Sequence, residues 1–203
     1  MAIERLKTAS LLSLERTLAR VLLEKTQYPW EALPQIEGFI LEIGPGLPES
    51  EYYSPKENVW IHKTAVIAQS ADISGPAIIC AGAQLRHCCY IRGSAIIGEK
   101  SVVGNSTEVK NAIMLDGAQA PHFNYVGDSI LGALAHIGAG VILSNLRLDK
   151  KNIAVRLGSE KICTGLRKFG AIIGDSAEIG CNSVLNPGTV ICKNAAVMPV
   201  SNI

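Results

Sequence analysis

The side chains in this sequence that could carry chemistry are four histidines, six cysteines and a cluster of basic residues. The cysteines form no CxxC pair and no other zinc-type spacing, so we expect no zinc site. An imidazole can accept a proton near neutral pH, and His122 stands in an irregular segment, residues 116–125. A second irregular segment, residues 144–168, carries seven lysines and arginines. These two segments are the candidate functional region.

The overall composition restricts the classes of partner. The 203 residues include 19 lysines and arginines against 18 aspartates and glutamates. This balance leaves no basic excess to attract nucleic acid or an anionic membrane. No apolar run approaches the roughly 18–20 residues of a membrane span. Adjacent Cys88 and Cys89 suit reduced thiols better than disulfides. We expect a cytoplasmic protein with no nucleic-acid or membrane partner.

A six-residue period dominates the chain after residue 58. Aliphatic residues recur at this spacing, namely Ile61, Ile67, Ile73, Ile79, Leu85, Ile91, Ile97, Val103, Val109, Leu115, Leu131, Ile137, Leu143, Ile173, Ile179, Leu185, Ile191 and Val197. A small side chain stands two residues before most of them. The period fits neither an α-helix nor hairpin-linked strands, but it fits a parallel β-helix with three faces per coil. The prediction is an all-β domain over residues 59–203, with about seven coils.

Residues 1–58 precede the repeat. Apolar residues at helical spacing predict one amphipathic helix over 3–25. Recurrent prolines and glycines predict a connector over 28–58, with one short strand at 39–43. We expect this N-terminal part to cap one end of the coil, because open strand edges need cover.

The two irregular segments interrupt the repeat. At residues 116–125 the six-residue register slips, and at residues 144–168 it is lost. Insertions in a coiled repeat project from one surface and commonly build the binding site. We therefore predict that both segments are loop excursions from the β-helix. The basic residues of the second one suit a solvent-exposed hairpin as well as a binding surface.

Several motifs resemble the left-handed β-helix acyltransferases. The similarity is to the acetyltransferase half of the bifunctional N-acetylglucosamine-1-phosphate uridyltransferase and covers residues 60–200. The matching segments are 104–111, 120–128, 137–140, 144–145, 168–169 and 172–175. The whole chain also resembles stand-alone proteins related to nucleotide-sugar pyrophosphorylases. Left-handed winding is implied by this resemblance and not by the period, since ordinary crossovers have the opposite hand.

The resemblance implies acetyl transfer from acetyl-CoA to the amine of an amino-sugar phosphate such as glucosamine-1-phosphate, in clefts between the subunits of a homotrimer. His122 corresponds to the general base, and the chemistry requires no metal. The positions corresponding to sugar-phosphate contacts are Lys110, Tyr125, Asn145, Lys168 and His136. Those corresponding to CoA contacts are Gly138, Ala139 and Cys181.

The sequence departs from the family pattern at three of its positions. The arginine that helps to bind the sugar phosphate aligns with Cys80, and Arg86 or Arg92 could substitute for it. His136 replaces an asparagine, and Leu146 replaces a tyrosine. These departures weaken the assignment of the acceptor and not that of the reaction class, and another amino or hydroxy sugar, phosphorylated or nucleotide-linked, stays open as the acceptor.

Other activities on related scaffolds fit less well. A pyrophosphorylase needs a doubly wound nucleotide-binding domain, which residues 1–58 are too few to form. A β-helical carbonic anhydrase needs two zinc-binding histidines five residues apart, and His62, His87, His122 and His136 provide no such pair. The alternative that remains is a non-catalytic trimeric β-helix that binds a sugar phosphate or serves as an assembly module.

Overall fold

A computed structural model describes residues 3–15 and 17–203 of the protein. Its helices are short and lie before residue 47. They are α1 (Thr8–Leu11), α2 (Arg20–Leu23) and α3 (Ile36–Ile43), with 3-10 turns at Ile3–Leu6, Pro29–Gln35 and Gly44–Gly46. None of the helices in the described ranges is long and apolar enough to cross a membrane.

Two predictions for the N-terminal part are wrong. The single helix predicted over 3–25 is broken, because the chain turns extended at Leu12. Leu11 and Leu12 are adjacent in sequence and both are buried. Their side chains therefore pack in different directions, whereas an amphipathic helix would bury a single face. The strand predicted at 39–43 is the second half of α3. Short apolar runs suit either a buried helix or a strand, and here the helix forms.

The strands are short and follow one another at the predicted spacing. In chain order they are β1 (Tyr52–Lys56), β2 (Val59–His62), β3 (Val66–Ile67), β4 (Asp72–Ile73), β5 (Ala77–Ile79), β6 (Gln84–Leu85), β7 (Tyr90–Ile91), β8 (Ala95–Ile97), β9 (Val102–Asn105), β10 (Glu108–Met114), β11 (Gln119–His122), β12 (Tyr125–Leu131), β13 (His136–Ile137), β14 (Ile142–Leu143), β15 (Ala154–Leu157), β16 (Glu160–Cys163), β17 (Ala171–Ile173), β18 (Glu178–Ile179), β19 (Val184–Leu185), β20 (Thr189–Ile191) and β21 (Ala196–Val197).

Pairing between coils builds three parallel sheets around one interior. Sheet I contains β2, β5, β8, the second half of β10, the second half of β12, β17 and β20. Sheet II contains β3, β6, β9, β11, β13, β18 and β21. Sheet III contains β4, β7, the first half of β10, the first half of β12, β14 and β19. The predicted parallel β-helix is confirmed.

The interior holds the periodic aliphatic residues with one exception. Met114 occupies the place predicted for Leu115, which instead faces the N-terminal helices. Ile79 pairs with Ile97, 18 residues later, whereas Ile97 pairs with Met114, only 17 residues later. One residue is lost where sheet III turns into sheet I, because the corner within β10 contains two residues and the equivalent corner between β7 and β8 contains three. The inward positions from Met114 to Val126 are consequently shifted by one residue, and those from Leu131 onward by two.

The segment 116–125 does not leave the coil. It contains β11, which pairs with β9 on one side and with β13 on the other. The predicted excursion there is therefore wrong, and the register slip has another origin. The corners at 110–111 and 127–128 each contain two residues, whereas the equivalent corner at 92–94 contains three. Two successive shortened coils produce the slip that the sequence displays.

The N-terminal part covers one side of the β-helix and not an end. Sheet I is apolar on both surfaces, and its outward residues Ile78, Ile96 and Ile113 are fully buried. They pack in one cluster with Trp30 and Ile40 from the helical part. We call residues 3–15 and 17–47 the N-terminal cover. A parallel sheet with two apolar surfaces needs a second layer, which the cover supplies.

The chain leaves the coil between β14 and β17. Strands β15 and β16 form an antiparallel hairpin there. Ile153 and Val155 are buried in the same cluster as the cover, and the Phe169 ring lies 5.8 Å from the Trp30 ring, centroid to centroid. One surface of this basic segment is therefore fixed to the molecule, while its lysines and arginines face solvent.

Replacement of Ile113 tests whether sheet I is covered. Ile113→Ala should lower the free energy of unfolding by about 3 kcal/mol, because it leaves a cavity between sheet and cover. Val66→Ala, at an outward position of sheet II that is 64% exposed, should cost about 0.5 kcal/mol. Denaturant unfolding followed by circular dichroism measures both values. Equal losses would contradict the covered-face arrangement.

Candidate active site

His122 lies at the end of β11, where sheet II turns into sheet III. Its backbone N–H donates to Asn124 Oδ1 at 3.0 Å, and its carbonyl accepts from Gly140 N at 3.0 Å. The Asn124 amide in turn donates to the Gly138 carbonyl at 2.8 Å, and Asn124 is buried. The backbone of His122 is thus held by two neighbouring coils, while its imidazole is exposed.

The residues predicted to contact CoA lie at the same corner. Gly138 and Ala139 follow β13, one coil after His122, and Cys181 follows β18 in the next coil. A Cβ on Gly138 would approach Cys181 Sγ to 2.9 Å, so the close packing of these coils requires glycine. The Ala139 carbonyl accepts from Asn182 N at 2.8 Å. His122, Gly138, Ala139 and Cys181 therefore form one column along an edge of the β-helix.

A second group surrounds Asp128 at the corner between sheets III and I. Asp128 is 4% exposed, and its carboxylate accepts from Asn111 Nδ2 at 2.8 Å and from Asn145 Nδ2. Lys110 Nζ lies 3.4 Å from the same carboxylate. Asn111 and Asp128 both have φ of 47°, a left-handed conformation that asparagine and aspartate tolerate. The shortened corners described above therefore bring Lys110 and Asn145 together through a buried aspartate.

Tyr125 lies between these two corners on the outer surface of sheet III. Its hydroxyl oxygen accepts from Asn145 Nδ2 at 3.2 Å. Burial raises the pKa of the Tyr125 phenol, and the negative charges of Glu108 and Asp128 add to that effect. The phenol therefore keeps its proton at neutral pH. The phenol oxygen accepts a hydrogen bond from Asn145, and a hydroxyl can accept and donate at the same time. The O–H of Tyr125 can therefore donate to an anion that binds beside it.

Arg92 is the one of the two candidate arginines that lies near Lys110. Ile91 pairs with Val109, so Arg92 stands one coil before Lys110 in the same column. Its guanidinium lies 3.0 Å from Glu108. Cys80 is 3% exposed, and burial followed by the charge of Asp116 raises the pKa of its thiol to about 12. A neutral buried thiol cannot supply the positive charge of the arginine that stands at this position in the family, so Cys80 does not replace it.

The other two basic candidates for binding phosphate, Arg86 and Lys168, lie at different places on the β-helix. Arg86 follows β6 at the opposite corner, where it donates to Gln84 Oε1 at 3.2 Å. Lys168 forms an isolated backbone bridge with Leu146, which places it beside Asn145, and its side chain is exposed. Lys110 contacts Asp128, Arg92 stands one coil before Lys110, and Lys168 lies beside Asn145.

His136 is not brought to this group within one copy of the chain. It lies on sheet II, and its Nδ1 is 2.9 Å from Glu178 Oε2 on the neighbouring strand. Both side chains are partly exposed. Sheets II and III form different sides of the coil, so a ligand on sheet III of one copy meets His122, Tyr125 and Lys110 but not His136 of that copy.

Curated relatives are similar to the repeat region. The bifunctional sugar-1-phosphate nucleotidylyltransferase/acetyltransferase of Sulfurisphaera tokodaii is 38% identical over 110 residues, which are 54% of this chain and 27% of that protein. The bifunctional protein GlmU of Methanococcus maripaludis is 35% identical over 173 residues, 84% of this chain and 42% of that protein. The chain thus spans between a quarter and a half of these relatives. No family model matches the chain.

The fold has a counterpart among solved structures. A hexapeptide transferase family protein from Anaplasma phagocytophilum superposes with a TM-score of 0.51 and 18% identity, over 68% of this chain and 73% of that one. The chain is a hexapeptide-repeat, left-handed β-helix protein. Its sequence relatives are bifunctional sugar-1-phosphate nucleotidyltransferase/acetyltransferases, which confirms the resemblance read from the motifs.

Asp128 and Asn111 are site residues that the motif analysis did not single out. A feature of the sequence could have pointed to both residues. Each is the second residue of a two-residue corner that follows a sheet III strand, where the coil is one residue shorter than the six-residue period predicts. Their roles depend on contacts between coils, which no single stretch of sequence displays. Asp128 is the residue through which Lys110 and Asn145 are held.

Replacement of Asp128 tests that role. Asp128→Asn should lower the free energy of unfolding by about 2 kcal/mol, because it presents an amide to the half-buried amide donors of Asn111 and Asn145 and removes the charged partner of Lys110. The control is Asp72→Asn, whose side chain is 69% exposed and lies 3.6 Å from Lys56; it should cost about 0.5 kcal/mol at most. If urea titrations show that the two substitutions lower the free energy of unfolding equally, Asp128 does not hold Lys110 and Asn145 in place.

Proposed function

We propose that the chain is an acyl-CoA-dependent acyltransferase that acetylates the amine of an amino-sugar phosphate such as glucosamine-1-phosphate. The observation that carries the proposal is the exposed imidazole of His122 on a corner fixed by Asn124, beside the column of Gly138, Ala139 and Cys181. The acetyltransferase names of the sequence relatives support the same reaction class.

The acyl donor is proposed to lie along the corner column. Within the described residues, no hydrogen bond is recorded for the backbone N–H of Ala139, which leaves it available to a carbonyl of the CoA arm or of the thioester. Gly138 allows close approach because it has no side chain, and Cys181 is exposed next to it. This arrangement would bring the thioester of acetyl-CoA to His122.

His122 is the proposed general base. The acceptor amine attacks the thioester carbonyl, and the N–C bond forms as the imidazole takes the proton from nitrogen. The tetrahedral oxyanion needs N–H donors such as that of Ala139. When the C–S bond breaks, the imidazolium returns the proton to the leaving sulfur. The products are the N-acetylated sugar phosphate and CoA with a free thiol.

The acceptor is proposed to lie across sheet III. Its phosphate would bind Arg92, Lys110 and Lys168, because charge-assisted hydrogen bonds to phosphate are stronger than neutral ones. Tyr125 would donate its O–H to the same anion, and Asn145 would hold the phenol in place. The amine would then point along sheet III toward His122. In this arrangement the negative charge of the buried Asp128 carboxylate would offset one of the positive charges that face the phosphate.

A second copy of the chain is proposed to close the site. Tyr90 and Ile142 are 36% exposed and Val184 is 37% exposed, and all three lie in one outward column of sheet III that also contains Glu108 and Tyr125. Exposed apolar columns of this kind favour contact with another subunit. His136, which cannot reach sheet III of its own copy, would enter the cleft from a neighbour in a homotrimer.

Removal of the imidazole tests the reaction directly. With acetyl-CoA and a panel of amino-sugar phosphates that includes glucosamine-1-phosphate, His122→Ala should lower kcat by about 10²- to 10⁴-fold, the range for loss of a general base. A thiol reagent that detects free CoA gives the rate. Binding of CoA, followed by calorimetry, should be unaffected by the substitution.

The matched control is His87→Ala. His87 is exposed at the same corner two coils earlier, and its carbonyl accepts from Ser106 N, so it occupies the equivalent position without the neighbours of His122. Its removal should leave kcat unchanged. Equal rates for wild type and His122→Ala would end the general-base assignment. Failure of the wild type to bind CoA would favour the non-catalytic assembly module instead.

A further inference from the structure

Charge is divided unevenly between two segments that lie outside the β-helix. Residues 26–55 contain five glutamates and no lysine or arginine, whereas residues 147–168 contain seven lysines and arginines against two acidic residues. The whole chain has a net charge of +1, so these opposite charges nearly cancel in the total. The molecule therefore has an acidic region in the N-terminal cover and a basic region around the hairpin.

Helix α3 presents an acidic patch to solvent. It buries Phe39 and Ile40 against the outer surface of sheet I. Glu37 and Leu41 stand one turn apart on the opposite face, and Glu42 follows them. Both glutamates are exposed and Leu41 is 40% exposed. Among the described residues, no ion pair is recorded for either carboxylate. We call Glu37, Leu41 and Glu42 the acidic patch.

The hairpin of β15 and β16 presents a basic patch. Val155 is buried in the cluster that includes the cover, and Arg156, the next residue, is exposed. Arg156 and Lys161 stand directly opposite each other across the two strands, an arrangement that destabilises a hairpin. Glu160 adjoins them at the hairpin turn, yet over residues 3–15 and 17–203 no ion pair is recorded for any of the three side chains. We call Arg156 and Lys161 the basic patch.

Both patches lie on the sheet I side of the molecule, at different heights along the β-helix. Helix α3 contacts β8 and β10. Ile153, at the base of the hairpin, lies against Gly188, the residue before β20. Strand β20 is three strands after β10 in sheet I, which is about 15 Å at the usual spacing. The acidic patch is therefore displaced from the basic patch along the axis of the coil.

This displacement determines how two copies of the chain could face each other through the same side. With parallel axes, each patch would meet a patch of the same sign. With antiparallel axes, the acidic patch of each copy would meet the basic patch of the other, and the twofold symmetry would close the contact. Leu41 would then be covered between charged groups, as in an interface with an apolar centre and a polar rim. A small anion on the basic patch would leave Leu41 and both glutamates uncovered.

We propose that the sheet I side binds a second copy of the chain in antiparallel orientation. Glu37 and Glu42 of each copy lie against Arg156 and Lys161 of the other. The contact goes beyond the proposed homotrimer, because it uses the cover and the hairpin and not sheet III. It is also independent of the acyl transfer. Since the charges are exposed, salt screens their attraction and the paired state forms at low ionic strength.

Sedimentation velocity with exchanged charges tests the pairing. The wild-type mass at about 10 mM salt should be twice its mass at about 1 M salt, because the screening length falls from roughly 30 Å to roughly 3 Å. Arg156→Glu combined with Lys161→Glu should weaken the pairing at low salt by about tenfold or more, and so should Glu37→Lys combined with Glu42→Lys. The variant with all four substitutions should pair again, because its opposite charges have only changed places.

The control variant combines Arg86→Glu with Lys100→Glu. Both residues are exposed at corners that border sheet II, and the change in net charge equals that of the hairpin variant. This control should pair as the wild type does. Equal wild-type masses at both salt concentrations, or a fourfold variant that stays apart, would overturn the inference. An open series of larger species would also overturn it, because antiparallel pairing closes. So would a hairpin variant in which only the rate of acyl transfer changes, since the basic patch would then attract substrate.

Discussion

The spacing between paired strands in successive coils is the constraint on which the rest of the structure depends. Each inward aliphatic residue stacks on its counterpart one coil away, and this stacking fixes which residues stand at each corner. Since neighbouring side chains alternate between the inside and the outside, a one-residue slip within a strand would expose the core. The chain avoids that outcome by losing its residues at corners, once at 110–111 and once at 127–128.

The candidate site follows from these shortened corners. Where sheet III turns into sheet I in two residues, Asn111 and Asp128 take left-handed conformations and face each other across adjacent coils. The carboxylate of Asp128 is almost fully buried, so its hydrogen bonds must be made within the protein. The ammonium group of Lys110 lies 3.4 Å from this carboxylate, so the buried aspartate holds the lysine at the corner.

Much of the fold could be predicted from the sequence because its core repeats locally. The inward residues recur every six positions, so the β-helix and most of its interior follow from periodicity. The N-terminal cover was not predicted, although each sheet I strand carries a second aliphatic residue, such as Ile78 or Ile96. These residues form one apolar outer surface only when the strands are paired in a sheet, and that pairing is not visible in the sequence. The broken N-terminal helix has the same cause, since its apolar residues contact that surface from several directions.

The site was predicted in part for a related reason. Sequence motifs identified His122, Lys110, Tyr125 and Asn145, because these residues stand in short recognisable segments. Arg92 was left as one of two options, since its place beside Lys110 depends on counting residues from coil to coil. The role of Asp128 as a shared partner is a property of three coils at once, which a linear sequence does not display.

The most direct test of the account is a crystal structure of the protein with CoA and glucosamine-1-phosphate bound together. The account predicts the sugar across sheet III, with its nitrogen about 3 Å from the imidazole of His122 and its phosphate between Arg92 and Lys110. A sugar phosphate bound away from sheet III, or an imidazole remote from both the nitrogen and the CoA sulfur, would contradict it.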